Sequence, residues 1–258
     1  MDTEKSKLGL PLQYSKLSEY YDLLSQDADD SKNRAIEKIL QEHKVKTVLD
    51  LTCGTGSQVF WLAECGYHVT GADLSPALLE IARNKTQKEK IDVKFIEGDM
   101  RTVQVGEYDA VITIFNAIGH LTKADFEKAM RNVHANLKDN GLYIFDIFNL
   151  DAMTDDAVKN LAMDIEKTVN DTKIRDVQYS ELDSDNGRLT SYDEFSIQEG
   201  SNQPQIYKGQ FTLQIYMANE LREMLSRNGF KTLGQYAIDG SEFLEKKTES
   251  ILTVAKKI

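Results

Sequence analysis

LDLTCGTGSQ, Leu49 to Gln58, is the stretch on which the reading of this chain turns. KTVLDL, Lys46 to Leu51, is a short β-branched and aliphatic run of the kind that forms a strand. Beyond the loop, Val59, Phe60, Leu62 and Ala63 recur at helical spacing, and Gly66 is placed to end that helix as a C-cap. Between strand and helix stand Gly54 and Gly56. A turn holding two glycines lets backbone approach a bound molecule closely, because no Cβ intervenes.

The same alternation continues along the chain. YHVTGAD reads as a second strand, followed by the helical LSPALLEIARNK with Ser75 as cap and Pro76 at the first helical position. DVKFIEGD and YDAVITIF are a third and a fourth strand. Thr122 and Asp125 resemble a capping box, opening a helix with Phe126, Ala129, Met130, Val133 and Leu137 inward. DNG at 139–141 is expected to close it, and GLYIFDIFN is a fifth strand. Upstream, Tyr14, Leu17, Tyr20, Tyr21 and Leu24 recur at helical spacing, and SKNRAIEKILQEH places Ile36, Ile39 and Leu40 on one helix face. Strands alternating with helices predict an α/β fold, a parallel sheet covered on both faces. In such sheets ligands bind beyond the carboxyl ends of the strands.

From about Met163 to Tyr216 helical periodicity fades. DTKIRDVQYSEL, RLTSYDEFSIQ and QIYKGQFTLQIY read as antiparallel strands, with Asp185-Asn186-Gly187 a hairpin signal between the first two. The α/β pattern then resumes: Leu221, Met224 and Leu225 mark a helix ended by Gly229, and GFKTLGQYAI and ESILTVAKK are two closing strands. The expected organisation is a helical cap over 1–44, a core over 45–160 and 217–258, and a β insertion over 161–216 serving as a lid or a dimer surface.

Composition narrows the function classes. Hydrophobic content of 41% and charged content of 28% are ordinary for a globular protein, and no apolar run approaches the length of a membrane span. The opening MDTEKSKLG lacks the apolar core of a signal peptide. Two cysteines, Cys53 and Cys65, suggest free thiols in a reducing compartment, hence a cytoplasmic location. A net charge of −11 opposes sequence-independent binding to nucleic acid and favours a cationic small substrate. The four histidines are dispersed and neither cysteine belongs to a CxxC, so no metal site is expected. DADD reads as a solvated acidic loop, Trp61 as packing, and His43, His68 and His134 as structural.

A nicotinamide-binding loop would continue as GxGxxG, but here the third glycine is missing and Val59 follows. The strand ends carry the information instead. Asp73 ends the second strand, where a carboxylate accepts hydrogen bonds from both hydroxyls of a ribose. Asp99 ends the third, where it can accept from an exocyclic adenine amine, and Met100 offers a backbone N–H and a flat apolar surface for the base. The series Asp50, Gly54, Gly56, Asp73 and Asp99 resembles that of the class I S-adenosylmethionine-dependent methyltransferases. DLTCGTG is similar to their first motif, DxGxGxG, with Thr52 in place of the first glycine.

That resemblance, strongest from Val45 to Asn149, implies a seven-stranded, mostly parallel Rossmann-like sheet with helices on both faces and S-adenosylmethionine as cofactor, released as S-adenosylhomocysteine. It adds Leu74, Phe115 and Tyr21 to the cofactor contacts. On the acceptor side, His120 follows strand four at the end nearest the cofactor's methyl, and with Tyr14, on a segment that the resemblance folds over the cofactor, it would orient or deprotonate the acceptor. Asn116, Asp146 and Asn149 would face the acceptor, a carboxylate suiting a cationic amine. The insertion and FNAIGHL look most like the small-molecule N-methyltransferase branch, acting at nitrogen or oxygen as a monomer or homodimer. Two other readings stand beside it: a non-catalytic cofactor-binding module, and an NAD-dependent oxidoreductase in which Asp73 would serve a ribose equally well.

Overall fold

A computed structural model describes residues 8–24, 30–89 and 91–258. The opening MDTEKSK and, apart from Asp30, the DADD loop lie outside them. The strands are β1 (Thr47–Asp50), β2 (His68–Asp73), β3 (Lys94–Glu97), β4 (Tyr108–Thr113), β5 (Leu137–Phe148), β6 (Met163–Val169), β7 (Thr172–Asp183), β8 (Arg188–Glu199), β9 (Gln205–Gln214), β10 (Phe230–Tyr236) and β11 (Ser250–Lys257). The α-helices are α1 (Tyr21–Leu24), α2 (Ser31–Glu42), α3 (Ser57–Glu64), α4 (Pro76–Glu89), α5 (Lys123–Ala135), α6 (Asp155–Asn160) and α7 (Ala218–Arg227).

Seven strands form one sheet in the order β10-β11-β5-β4-β1-β2-β3. Strands β1 to β5 pair in parallel, and β11 is antiparallel to both its neighbours. In β4, Val111 faces one apolar layer while Ala110 and Ile112 face the other, and all three are fully buried. A central strand buried on both faces therefore reads as a continuous apolar run. Helices α5 and α7 supply Phe126, Met130, Val133, Leu221 and Leu225 to the first layer. Helices α2, α3 and α4 supply Ile36, Leu40, Val59, Leu62 and Leu79 to the second. Strand order reverses between β1 and β4, which opens the crevice in which this architecture binds ligands. No helix among the described residues is long and apolar enough to cross a membrane.

Strands β6 to β9 form a separate antiparallel sheet. The sequence reading named three segments there and overlooked β6. Asn170 and Asp171, both at positive φ, join β6 to β7 by the left-handed two-residue turn that matches strand twist. One end of the inward face packs Ile174, Phe195 and Ile197 on Leu17 and Leu24. The other packs Leu189 and Leu213 on Ala157 and Val158 of α6.

Local signals at helix starts are present as expected. Ser75 Oγ accepts from Leu78 N at 3.2 Å, and Thr122 Oγ1 from Asp125 N at 3.2 Å. Two expectations are corrected. The tyrosine-bearing N-terminal segment is two 3₁₀ turns, Leu12–Tyr14 and Ser18–Tyr20, followed by the single turn of α1. Its backbone is claimed by tertiary contacts, since Tyr14 O accepts from Ser75 Oγ at 2.6 Å and Leu8 O from Thr212 N at 2.7 Å. Helix α5 ends at Asn136, before DNG, because the Asn136 side chain bonds Val103 O and Val105 N and pins the chain there.

Candidate cofactor and acceptor site

The loop after β1 turns through two left-handed positions, Gly54 at φ +53° and Gly56 at φ +92°. A Cβ at Gly56 would lie 2.7 Å from the Phe60 ring, so the position requires glycine twice over. Thr52 is not among the described residues with positive φ, which explains why a side chain is tolerated where the motif has glycine. Asp50 closes β1 and accepts from Thr52 N at 3.0 Å; burial pushes its carboxyl up to about 7, against the pull of that N–H.

Asp73 is held at the mouth of this loop. Its Oδ2 accepts from Gly54 N and its Oδ1 from Ser75 N, each at 2.8 Å. Burial raises its carboxyl, and the backbone donors restrain the rise. The Leu74 N–H adds to this pull, and a carboxylate with about four lone-pair sites keeps capacity for a further donor. Thr52 Oγ1 is buried with no partner among the described residues. A fixed carboxylate, a buried hydroxyl lacking a partner and two residues without Cβ fit the ribose and the zwitterionic tail of S-adenosylmethionine.

Asp99 also stands at its predicted strand end but is differently occupied. Arg101 donates to it from N (2.8 Å), Nε (3.0 Å to each oxygen) and Nη2 (2.6 Å). An adenine amine would have to share or displace one of these donors. Sequence reading missed Arg101 because an arginine two residues from an aspartate carries no local signal. Met100 packs on the core, its carbonyl accepting from Asn132 Nδ2 at 3.0 Å, and Leu74 is exposed beside Asp73.

The N-terminal segment lies over this loop. Asp22 accepts from Thr55 Oγ1 at 2.6 Å and pairs with Lys85 at 2.8 Å. Tyr14 and Tyr21 pack with ring centroids 6.0 Å apart. Burial raises both phenols, Tyr21 to about 12, with the Asp73 charge adding to each. Tyr14 meets His120 edge-on at 5.5 Å, and Phe211 of β9 meets the same ring, tilted, at 5.8 Å. Phe211 was absent from the sequence reading; only the tertiary fold brings β9 to the turn after β4. His120 is buried, and that burial pulls its imidazole down to about 4. It is therefore a neutral ring at pH 7, a weaker base than the ordinary histidine expected.

Phe115 and Asn116 are consecutive left-handed residues, at φ +64° and +55°. A bulky side chain in that region is strained, by about 1 kcal/mol or more. Phe115 is half exposed, with Lys32 Nζ 3.8 Å from its ring centroid. The same ammonium donates to Asp146 Oδ2 at 3.2 Å, while Asp146 Oδ1 and Asn116 Oδ1 are buried without partners among the described residues. Asp146 thus lies at this end of the sheet with a lysine already on it. Asn149 is placed otherwise than expected: it donates to Glu245 O (2.6 Å) and Thr248 O (2.9 Å) and accepts from Asp151 N (3.2 Å). Those bonds spend its amide on tying β5 to the loop before β11. Among the described residues no group of acidic, histidine or cysteine side chains has the arrangement of a metal site.

Residues 48–141 match the family model of a methyltransferase domain. The chain is similar to that family over this segment. Its sheet order and antiparallel β11 are those of the class I, Rossmann-like methyltransferase fold that the motif series implied. The chain is similar in sequence to the putative methyltransferase YqeM of Bacillus subtilis (strain 168), at 35% identity over 50% of this chain and 53% of that protein. It is also similar to a glycine/sarcosine N-methyltransferase of Parasynechococcus marenigrum, at 38% identity over 45% of this chain and 43% of that one. The chain thus spans about half the length of these relatives. In three dimensions it resembles CalS10, a SAM-bound amino pentose methyltransferase from Micromonospora echinaspora, with a TM-score of 0.72. That match covers 96% of this chain and 99% of the other, at 19% identity, and is a likeness of fold.

Proposed function

We propose that this protein is an S-adenosylmethionine-dependent methyltransferase that methylates a small molecule at nitrogen or oxygen by in-line displacement. The observation that carries the reading is Asp73, fixed by Gly54 and Ser75 at the mouth of a left-handed glycine loop. S-adenosylmethionine supplies a methyl group on an electrophilic sulfonium when bound. The chain's share of the work is alignment and exclusion of water. Asp50, Thr52, Gly54, Gly56, Asp73 and Leu74 surround the nucleoside and its tail, with Asp99, Met100, Phe115 and Tyr21 completing the walls. Tyr14 and His120, joined ring to ring, border the acceptor.

With its imidazole near 4, His120 orients the acceptor as a neutral hydrogen-bonding ring. His120→Asn is expected to lower kcat about tenfold, leave S-adenosylhomocysteine affinity within twofold, and introduce or remove no inflection in the kcat profile between pH 6 and 8. A wild-type inflection near 6.5 that vanishes in the variant would restore the base role. The sign for stability follows from the same value. The unfolded ring titrates near 6.5, so the folded protein binds fewer protons between about 4 and 6.5. Stability from the neutral ring is complete above that window and lost as pH falls through it. The melting-temperature difference between parent and variant should shrink on going from pH 7.5 to 5.

The reading as a whole is tested by titrating the protein with S-adenosylhomocysteine and with NADH, then incubating it with S-adenosylmethionine and a panel of amines and phenols. Saturable binding of the thioether, none of NADH, and acceptor-dependent formation of S-adenosylhomocysteine are expected. Binding without turnover on any acceptor would favour a non-catalytic module, and NADH binding alone would favour an oxidoreductase.

A further inference from the structure

The inward face of the β6–β9 sheet is apolar at both ends and polar in the middle. Along β7 the inward side chains run Ile174, Asp176, Gln178, Ser180, Leu182, and along β8 they run Leu189, Ser191, Asp193, Phe195, Ile197. Packing against the N-terminal segment and against α6 explains the two apolar ends. It does not explain two aspartates between them. Asp176 is 2% exposed and Asp193 4%; Oδ1 of the first and both oxygens of the second are buried with no partner among the described residues. A buried carboxylate without a partner is costly, and globular proteins rarely keep one without a use.

Their position supplies a use. Asp176 lies opposite Phe195 and Asp193 opposite Gln178, so the two are diagonal neighbours on one face, roughly 7–8 Å apart along the backbone lattice. Across the next ladder Asp193 faces Gly209, and Asp193 Oδ2 lies 3.5 Å from where a Gly209 Cβ would stand. Leu12 touches that same point at 3.0 Å, two residues before Tyr14. Two residues along β9 from Gly209 is Phe211, packed on His120. Asp193 is therefore a diagonal neighbour of Phe211 on the inward face, at the edge of the Tyr14–His120–Phe211 cluster, with Asp176 one strand farther from it. Burial raises both carboxyls, Asp176 to about 7 with the Asp193 charge adding to it, and Asp193 to about 6. A cation arriving between them would find at least one anionic partner at neutral pH and would relieve the repulsion of the pair.

We propose that Asp176 and Asp193 form the seat for a protonated nitrogen of the methyl acceptor. This rests on the methyltransferase reading above and deepens it to an acceptor class: small molecules bearing an ammonium group in addition to the atom that is methylated. The two must be distinct, because an ammonium held by carboxylates has no lone pair with which to attack. Three N–H donors on one ammonium suffice to engage both side chains.

The full-length protein, saturated with S-adenosylhomocysteine, is titrated calorimetrically with 1,3-diaminopropane, 1,4-diaminobutane and 1,5-diaminopentane, and with butane-1,4-diol as a neutral counterpart. At least one diamine should saturate and the diol should not. Asp193→Asn should weaken the diamine tenfold or more, and Asp176→Asn with Asp193→Asn should abolish its binding. S-adenosylhomocysteine affinity should stay within twofold in both variants, and their melting temperatures should be no lower than the parent's, since each change removes a buried unpaired charge. The proposal is overturned if no diamine binds, if the diol binds equally well, or if the double variant keeps parental diamine affinity. Loss of S-adenosylhomocysteine binding by the parent would sink the methyltransferase reading instead, and the same diamine titration without it would still decide the seat.

Discussion

Asp73→Ala should reduce affinity for S-adenosylhomocysteine by a factor of about 100 to 1,000, measured by calorimetry. Two losses combine. The carboxylate would no longer accept from the ribose hydroxyls, and hydrogen bonds to a charged group are worth about 1.5–3 kcal/mol each. The Gly54 and Ser75 N–H groups, now bonded to it at 2.8 Å, would also lose the acceptor that holds the loop in its binding shape. Asp73→Asn should be nearly as damaging despite its similar volume. An amide has one oxygen and one NH₂, so a donor would face either Gly54 N–H or Ser75 N–H. Affinity unchanged in both variants would show that the nucleoside lies elsewhere, and the proposed function would fall with it.

Lys32→Met should destabilise the protein by about 3–5 kcal/mol, because it strands a buried carboxylate whose only described partner is removed. The Asp146 side chain is 2% exposed and Lys32 16%, so water cannot readily replace the ammonium. For a chain of this size the loss corresponds to a fall in melting temperature on the order of 10 °C. Adding Asp146→Asn to Lys32→Met should recover most of it, since a neutral side chain no longer needs the cation. Urea denaturation of the two single variants and the double one measures the coupling. A Lys32→Met protein within 0.5 kcal/mol of the parent would mean that the pair is not formed in solution.

The backbone geometry of the candidate site was legible because its signals are local. Gly54, Gly56 and Asp73 sit within one strand–loop–helix–strand unit, and a left-handed turn demands glycine wherever it occurs. Ser75 and Thr122 announced their helices because a cap is satisfied three residues away. The N-terminal segment was misread for the opposite reason. Its helical spacing is real, but a hydrogen bond from Ser75, 61 residues distant, helps hold its backbone in 3₁₀ turns. Asn149 looked like a pocket residue from its place after β5, yet the partners of its amide lie 96 and 99 residues on. Asp176 and Asp193 carry a readable signal in the strand period: each lies two residues from an inward apolar side chain, Ile174 and Phe195, on the same face of its strand.

By itself the sequence determined the order of strands and helices, the glycine loop and the carboxylates at the strand ends, because periodicity, capping and φ preference act over a few residues. Which charges meet was decided only by the tertiary structure. Lys32 finds Asp146 across 114 residues of chain, and Phe211 comes from the second sheet to pack on His120. Electrostatics and burial depend on distance in space, and no local pattern records that.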